Sequence, residues 1–315
     1  MTARHANRVP SPADAGPVLI TGCSSGLGRA SARLFQAAGY RTIATGLDES
    51  ELGELRLLGC ETLTLDVSNE EQRRAAVAMI EQRHGAIGVL VNNAGYGQYG
   101  PIEEVPLDLI RRCFETNVFG MVRMAQLVLP AMRRAGRGRI VNVSSVAGRV
   151  TTAGGGVYHM TKYAIEAMAD ALRPEVKPFG IDVVNVLPGP FVSAYRDKVV
   201  ASIPDTGPAS PYAHFKDRIG TWMVAFLEPG RLGVMPAEQV ARAVFRAGTA
   251  ARPRTRYNVG FYAKFSPFGR AITPDRVVDA VMARKIPVQA SAGAPILTSP
   301  VSVAGCGSSK PAADS

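Results

Sequence analysis

Cysteine is scarce in this chain. Four thiols in 315 residues, Cys23, Cys60, Cys113 and Cys306, stand far apart, with no C-x-x-C pair and no histidine cluster beside them. That spacing argues against a disulfide framework and against a metal site, and fits scattered free thiols in a reducing compartment. Long hydrophobic runs are missing too: no stretch of eighteen apolar residues occurs, so no spanning helix is expected. Residues 1–16 carry Arg4, His5, Arg8 and Asp14 with no apolar segment among them, which reads as a disordered leader and not as a secretory signal. Together these features predict a cytoplasmic protein. Acidic residues are outnumbered, 26 against 36 Lys and Arg, for a net charge of +10. The excess clusters at Arg133, Arg134, Arg137 and Arg139, and again at Arg252, Arg254 and Arg256. No recognition motif accompanies either cluster, so a solvated surface is expected there and no nucleic-acid partner.

What the chain does have is alternation. Short apolar runs over 17–21, 41–45, 61–65, 89–91, 139–143, 181–187 and 256–259 read as strands. Helical patterns run from the first glycine turn through Ala38, then over 49–58, 70–84, 107–129, a stretch headed by Tyr158, 237–247 and 274–284. Strands alternating with helices predict an α/β fold: one doubly wound parallel sheet of about seven strands, with helices on both faces. Over 190–236 the pattern loosens and prolines and aromatics recur. A long irregular insertion of this kind at the ligand edge suggests a lid or substrate pocket. One domain is expected over 17–286, and the Pro-, Ser-, Ala- and Gly-rich stretch 287–315 reads as a low-complexity tail.

Polar and glycine-rich residues fall repeatedly at the carboxyl ends of the strands, the edge at which open α/β sheets bind ligands. The first strand runs into Gly22-Cys23-Ser24-Ser25-Gly26-Leu27-Gly28 and then a helix. Strand, glycine turn and helix in that order bring backbone N–H groups and a helix N-terminus to a phosphate. By analogy with dinucleotide-binding turns, Gly22 permits the tight bend, Gly26 close backbone approach and Gly28 helix–strand packing. Further on, Tyr158 and Lys162 stand four apart, one turn above the other on one helix face. A phenol with its ordinary pKa of about 10 exchanges protons poorly at neutral pH. An ammonium nearby favours the phenolate and makes proton exchange with an alcohol or carbonyl feasible. Gly154, Gly155 and Gly156, just before Tyr158, fit a roomy pocket and, equally, a flexible turn with no substrate role.

Thr21 with the glycine turn, Asp66, Asn92-Asn93-Ala94-Gly95, Asn117, Ser145, Tyr158-x-x-x-Lys162 and Pro188-Gly189, in this order, resemble the short-chain dehydrogenase/reductase family. The likeness covers about 17–285 and is strongest to the branch that includes hydroxysteroid and retinol dehydrogenases. It implies a Rossmann-type fold, a nicotinamide cofactor and hydride transfer between an alcohol and a ketone. Tyr158 would be the general acid/base, Lys162 would lower its pKa and bind the nicotinamide ribose, and Ser145 would hold the substrate oxygen. Asn117 would hold a water linking Lys162 to solvent. The implied cofactor set is Gly22, Ser24, Ser25, Gly26, Leu27, Gly28, Leu47, Asp66, Val67, Asn93, Ala94, Gly95, Pro188, Gly189 and Ser193, besides Tyr158 and Lys162. Within it, Asp66 would accept from the adenine amino group, Asn93 pack against the adenosine side and Ser193 bond the carboxamide.

Cofactor choice turns on the end of the second strand, where an acidic residue selects NAD and an Arg pairs the 2′-phosphate of NADP. Gly46 and Leu47 take those places here, followed by Asp48, whose charge opposes a phosphate. A modest preference for NAD(H) over NADP(H) is expected. The expected substrate is an apolar secondary alcohol or its ketone, such as a steroid, retinoid or fatty-acyl relative. The alternative is a non-catalytic nicotinamide-binding redox sensor. By resemblance a homodimer or homotetramer is expected, through helices near 107–130 and 156–173. Aromatic and basic residues interleave over 257–270, which suggests weak peripheral membrane contact.

Overall fold

Val18, Leu19 and Ile20 have no exposed surface, as a strand covered on both faces requires. In a computed structural model of the chain, which describes residues 12, 14–193 and 195–287, they form β1 of a seven-stranded sheet. The strands are β1 (Val18–Ile20), β2 (Thr42–Gly46), β3 (Glu61–Thr64), β4 (Val89–Asn92), β5 (Gly138–Val143), β6 (Ile181–Pro188) and β7 (Arg256–Val259). They lie in the order β3-β2-β1-β4-β5-β6-β7 and every neighbouring pair is parallel. The helices are α1 (Gly26–Ala37), α2 (Gly53–Leu57), α3 (Glu70–His84), α4 (Leu107–Phe114), α5 (Gly120–Ala135), α6 (Gly156–Val176), α7 (Tyr195–Ala201), α8 (Ala213–Phe226), α9 (Ala237–Thr249), α10 (Phe261–Ile272) and α11 (Asp275–Lys285). This is the doubly wound, Rossmann-like α/β fold that the sequence predicts. Strand order reverses between β1 and β4, which opens a crevice at their carboxyl ends.

Side chains two apart in a strand share a face. Val18, Ile20, Val89, Val91, Val141 and Val143 therefore point one way, onto Phe35 of α1 and Val240 and Val244 of α9. Leu19, Leu90, Ile140 and Val183 point the other way, onto Ile80 of α3, Met124 and Val128 of α5 and Ala169 of α6. Each such buried side chain contributes about 2 kcal/mol. A smaller cluster, Tyr99, Val199, Phe215, Ile219, Met223, Leu227 and Ile286, lies apart from both.

Several expectations need correction. The stretch 190–236 is not irregular, since α7 and α8 lie within it. The helix expected over 49–58 divides into a tight turn, Glu49–Leu52, and α2. The helical stretch expected over 107–129 consists of α4 and α5 joined by a wider π-type turn, Glu115–Phe119, which carries Asn117. At the end of that turn, a Cβ on Gly120 would strike backbone, 2.5 Å from the Val67 carbonyl oxygen. The leader and tail lie outside the described residues except at their inner ends, where Ala15 is buried. Gly16 packs on Ala86 and Gly88. No helix of the described residues is long and apolar enough to cross a membrane.

Candidate active site

The glycine turn is held from behind. Thr21 Oγ1 accepts from the N–H groups of Asn93 and Ala94, both at 3.0 Å. Asn93 Nδ2 donates to the carbonyls of Thr21 and Gly22 at 2.8 and 2.9 Å. Its Nδ2 group is spent on the turn, which it holds in shape. Gly22 sits at φ +72°, and a Cβ there would lie 2.8 Å from Ala94 Cα, so only glycine fits. A Cβ on Gly28 would run into the Gly22 carbonyl. Gly26, at φ +54°, differs: only Ser193 Cβ, 3.6 Å away, approaches its would-be Cβ. The open space lies at the N-terminus of α1, whose first N–H groups have no helical acceptor and favour an anion. A pyrophosphate fits there.

At the end of β2, Gly46 is buried against Ser24, and Leu47 is 70% exposed. Asp48 accepts from the Ser50 N–H at 2.8 Å, and hydrogen bonding from Ser50 holds its carboxyl below the ordinary carboxylate range. Arg29 donates to the carbonyls of Ser24 and Glu51 and pairs with Glu54. Asp66 Oδ1 accepts from the Ser68 N–H and hydroxyl at 2.8 and 2.7 Å.

All the residues of the expected set except Asn117 line one cleft of about 880 Å³. It runs from the glycine turn past Leu47, Asp66, Val67, Ala94 and Gly95 to Ser145, Tyr158, Pro188, Gly189 and Ser193. Tyr158 and Lys162 project from the first turns of α6. Lys162 is 6% exposed, with Nζ 5.6 Å from the Tyr158 ring centroid and donating to the Val143 carbonyl at 2.9 Å. Burial pulls its pKa from 10.5 down to about 8, with Glu166 among the groups that oppose the fall. Ser145 Oγ accepts from the Ala147 N–H at 3.1 Å, so its own O–H remains to donate.

The side chain of Asn117 has a task within the protein itself. It is wholly buried, its Oδ1 accepts from the Tyr96 N–H at 3.0 Å, and its Nδ2 donates to the Tyr96 carbonyl at 2.8 Å and Thr161 Oγ1 at 3.1 Å. Both ends of the amide are engaged, so the side chain clamps the loop after β4 to the turn of α6 next to Lys162.

The glycine triplet does not leave a roomy pocket. Would-be Cβ atoms on Gly154, Gly155 and Gly156 meet Ile219, His159 and Ile102, the last two at 2.6 Å. These glycines allow close packing. His159 Nδ1 lies 2.9 Å from the Val150 carbonyl, and burial drives its pKa from 6.5 to about 4. The ring is therefore neutral at pH 7, and Nδ1 donates to Val150.

Beyond Tyr158 the wall turns apolar. Tyr99 stacks on Tyr158 with centroids 5.8 Å apart, and Phe191, Trp222, Met223, Phe226, Leu227, Tyr262, Met282 and Ile286 complete it. Tyr99, Met282 and Ile286 escape sequence reasoning because each sits outside any motif and reads as core.

A parallel sheet with a glycine turn, a phosphate-sized space and a buried lysine beside a tyrosine defines a dinucleotide-dependent redox protein. Residues 17–203 match the short chain dehydrogenase family, and the chain belongs to it as an NAD(P)-dependent oxidoreductase. It is 34% identical over 276 residues to retinol dehydrogenase 16 of Rattus norvegicus, covering 84% of this chain and 86% of that one. To 17-beta-hydroxysteroid dehydrogenase type 6 of Bos taurus it is 33% identical over 288 residues, covering 87% and 90%. A solved short-chain dehydrogenase from Streptomyces avermitilis is similar with a TM-score of 0.70 and 33% identity, over 85% of this chain and 94% of that one.

Proposed function

We propose that the protein oxidises an apolar secondary alcohol, or reduces the matching ketone, with NAD(H) preferred over NADP(H). The observation that carries this reading is the apolar wall opposite Ser145 and Tyr158, formed by Tyr99, Trp222, Met223, Phe226, Leu227 and Ile286. Such a wall favours a substrate with an extended hydrocarbon body. The names of the retinol and hydroxysteroid relatives point the same way.

Gly22, Gly26 and the N-terminus of α1 would hold the pyrophosphate, Leu47 and Asp48 would face the adenosine ribose, and Lys162 the nicotinamide ribose. When bound, the nicotinamide accepts or gives the hydride. The chain's own part is proton handling and orientation. The Tyr158 oxygen takes the alcohol proton, helped by the positive charge on Lys162. The Ser145 O–H donates to the substrate oxygen and steadies negative charge there. Asn117 holds Thr161, and with it the turn of α6 that carries Lys162. At the end of β2, Leu47, Asp48 and Glu51 line the cleft, and their two carboxylates repel a 2′-phosphate.

A panel of alcohols and ketones followed by nicotinamide absorbance tests the reading, with kcat/KM compared for the two cofactors. Apolar secondary alcohols should be turned over best, and NAD should give the higher value. A clear NADP advantage overturns the cofactor assignment. Tight NADH binding without turnover across the panel would favour the redox-sensor reading instead.

A further inference from the structure

Helix α10 leaves an apolar ridge uncovered. Phe261, Phe265, Phe268 and Ile272 recur at the spacing that puts them on one helix face, and each is between 57% and 68% exposed. Val277 and Val281 of α11 extend the exposed surface. Isolated exposed apolar residues are ordinary, but a contiguous set of this size marks a contact surface.

The same two helices form the rim of the substrate cleft, since Tyr262 and Ser266 of α10 and Met282 and Lys285 of α11 line it. Rings connect the two sides. Trp222 in the cleft stacks on Phe226 at 4.8 Å, Phe226 meets Tyr262 at 5.4 Å, Tyr262 meets Phe261 at 6.0 Å, and Phe261 meets Phe265 at 4.8 Å. The apolar lining of the cleft is thus continuous with the outer ridge. Helices α10 and α11 carry Lys264, Arg270, Arg276, Arg284 and Lys285, against Asp275, which pairs with Arg270, and Asp279.

We propose that α10 and α11 seat this protein on an anionic lipid bilayer, with the ridge in the interface and the cleft mouth facing the lipid. An exposed helix with aromatic residues on one face and cations beside them binds in the plane of a membrane surface. Charge selects this occupant over a second copy of the chain. A two-fold contact through the ridge would bring two like-charged faces together, whereas anionic headgroups neutralise them. An apolar substrate would then enter from the lipid without crossing water. Only that last use rests on the proposed substrate class; the docking itself is measured without turnover, so either can fail alone.

The experiment is co-sedimentation of the full chain with phosphatidylcholine vesicles, with and without phosphatidylglycerol. The wild type should pellet with the anionic vesicles, far less with the neutral ones, and less as salt is raised. Emission of Trp222, the sole tryptophan, should shift on binding. Phe265→Asp with Phe268→Asp should lower binding by about tenfold or more. A second variant, Lys264→Glu with Arg276→Glu and Arg284→Glu, should remove the preference for anionic lipid. Both should keep their melting temperature and their turnover of a small water-soluble ketone. Wild type left in the supernatant with both vesicle types overturns the proposal, as does equal pelleting of wild type and the Phe265→Asp, Phe268→Asp variant. A wild-type dimer that this variant converts to a monomer, without vesicle binding by either, assigns the ridge to a second copy and also overturns it.

Discussion

Glu166 Oε1 accepts a hydrogen bond from Asn185 Nδ2 at 2.7 Å, which ties the helix carrying Tyr158 and Lys162 to the sheet. The bond ends a row that crosses three strands at one register. Asn92 donates to Asn142 and Asn142 to Asn185, each at 3.1 Å, and the three residues are paired neighbours in β4, β5 and β6. Arg256 of β7 continues the register and donates to Glu166 Oε2 at 2.8 Å. Every member of the row from Asn92 to Glu166 is buried, so each polar group depends on its partner.

Asn142→Leu removes the middle of that row and leaves two buried groups without partners. A loss of about 2–4 kcal/mol is expected from desolvation that is no longer compensated. Denaturant melts would measure it, and a change below about 0.5 kcal/mol would show that the row carries no load.

Tyr158→Phe should lower kcat by about 10²–10⁴ while NADH binding, followed by fluorescence titration, stays near wild type. Ser145→Ala should cost about 10²-fold through the lost donor to the substrate oxygen. A Tyr158→Phe enzyme with half its activity would remove the phenol from the chemistry.

Gly26→Ala tests the phosphate space. The new methyl would enter the cleft at a positive φ, costing about 1–2 kcal/mol of backbone strain. The apparent Kd for NADH should rise at least about tenfold if the pyrophosphate lies there. Unchanged affinity in a folded variant would place the cofactor elsewhere.

The two buried bases both titrate below their free values, so each contributes stability that rises with pH, in separate windows. Lys162 loses its proton near pH 8 in the fold but near 10.5 when free. The folded chain binds fewer protons between those values, so this group's share of stability rises with pH across the window. Its charge is lost over the same window. Alcohol oxidation should therefore fall on an alkaline limb near pH 8, and Lys162→Arg should displace that limb. His159 stays neutral to about pH 4 against 6.5 when free. Stability should then fall as pH drops from 6.5 to 4, by about 3 kcal/mol from this group. His159→Gln should flatten that slope in melts taken from pH 7 to 4, and an unaltered slope would place its origin in other groups.

The strands and the crevice were legible in the sequence because parallel strands are apolar on both faces and their polar residues gather at one end. Tyr158 and Lys162 were legible because helical spacing brings them together locally. The row Asn92–Asn142–Asn185 was not, since residues fifty and forty-three apart meet only through strand register. Helices α7 and α8 were hidden among Pro204, Pro208 and Gly220, residues that read as loop. The glycines at 154–156 left two readings open for a related reason: sequence shows that a side chain is missing, not that Ile219, His159 and Ile102 fill its place.

The cluster beneath α8, which joins Met223 and Leu227 to Ile286 at the end of α11, packs apart from both faces of the sheet. The roof over the substrate thus has a miniature interior of its own. It touches the proton-transfer site at one point, where its Tyr99 stacks on Tyr158. A loosening of that interior would reach the phenol as well as the pocket wall, through a single stacked ring.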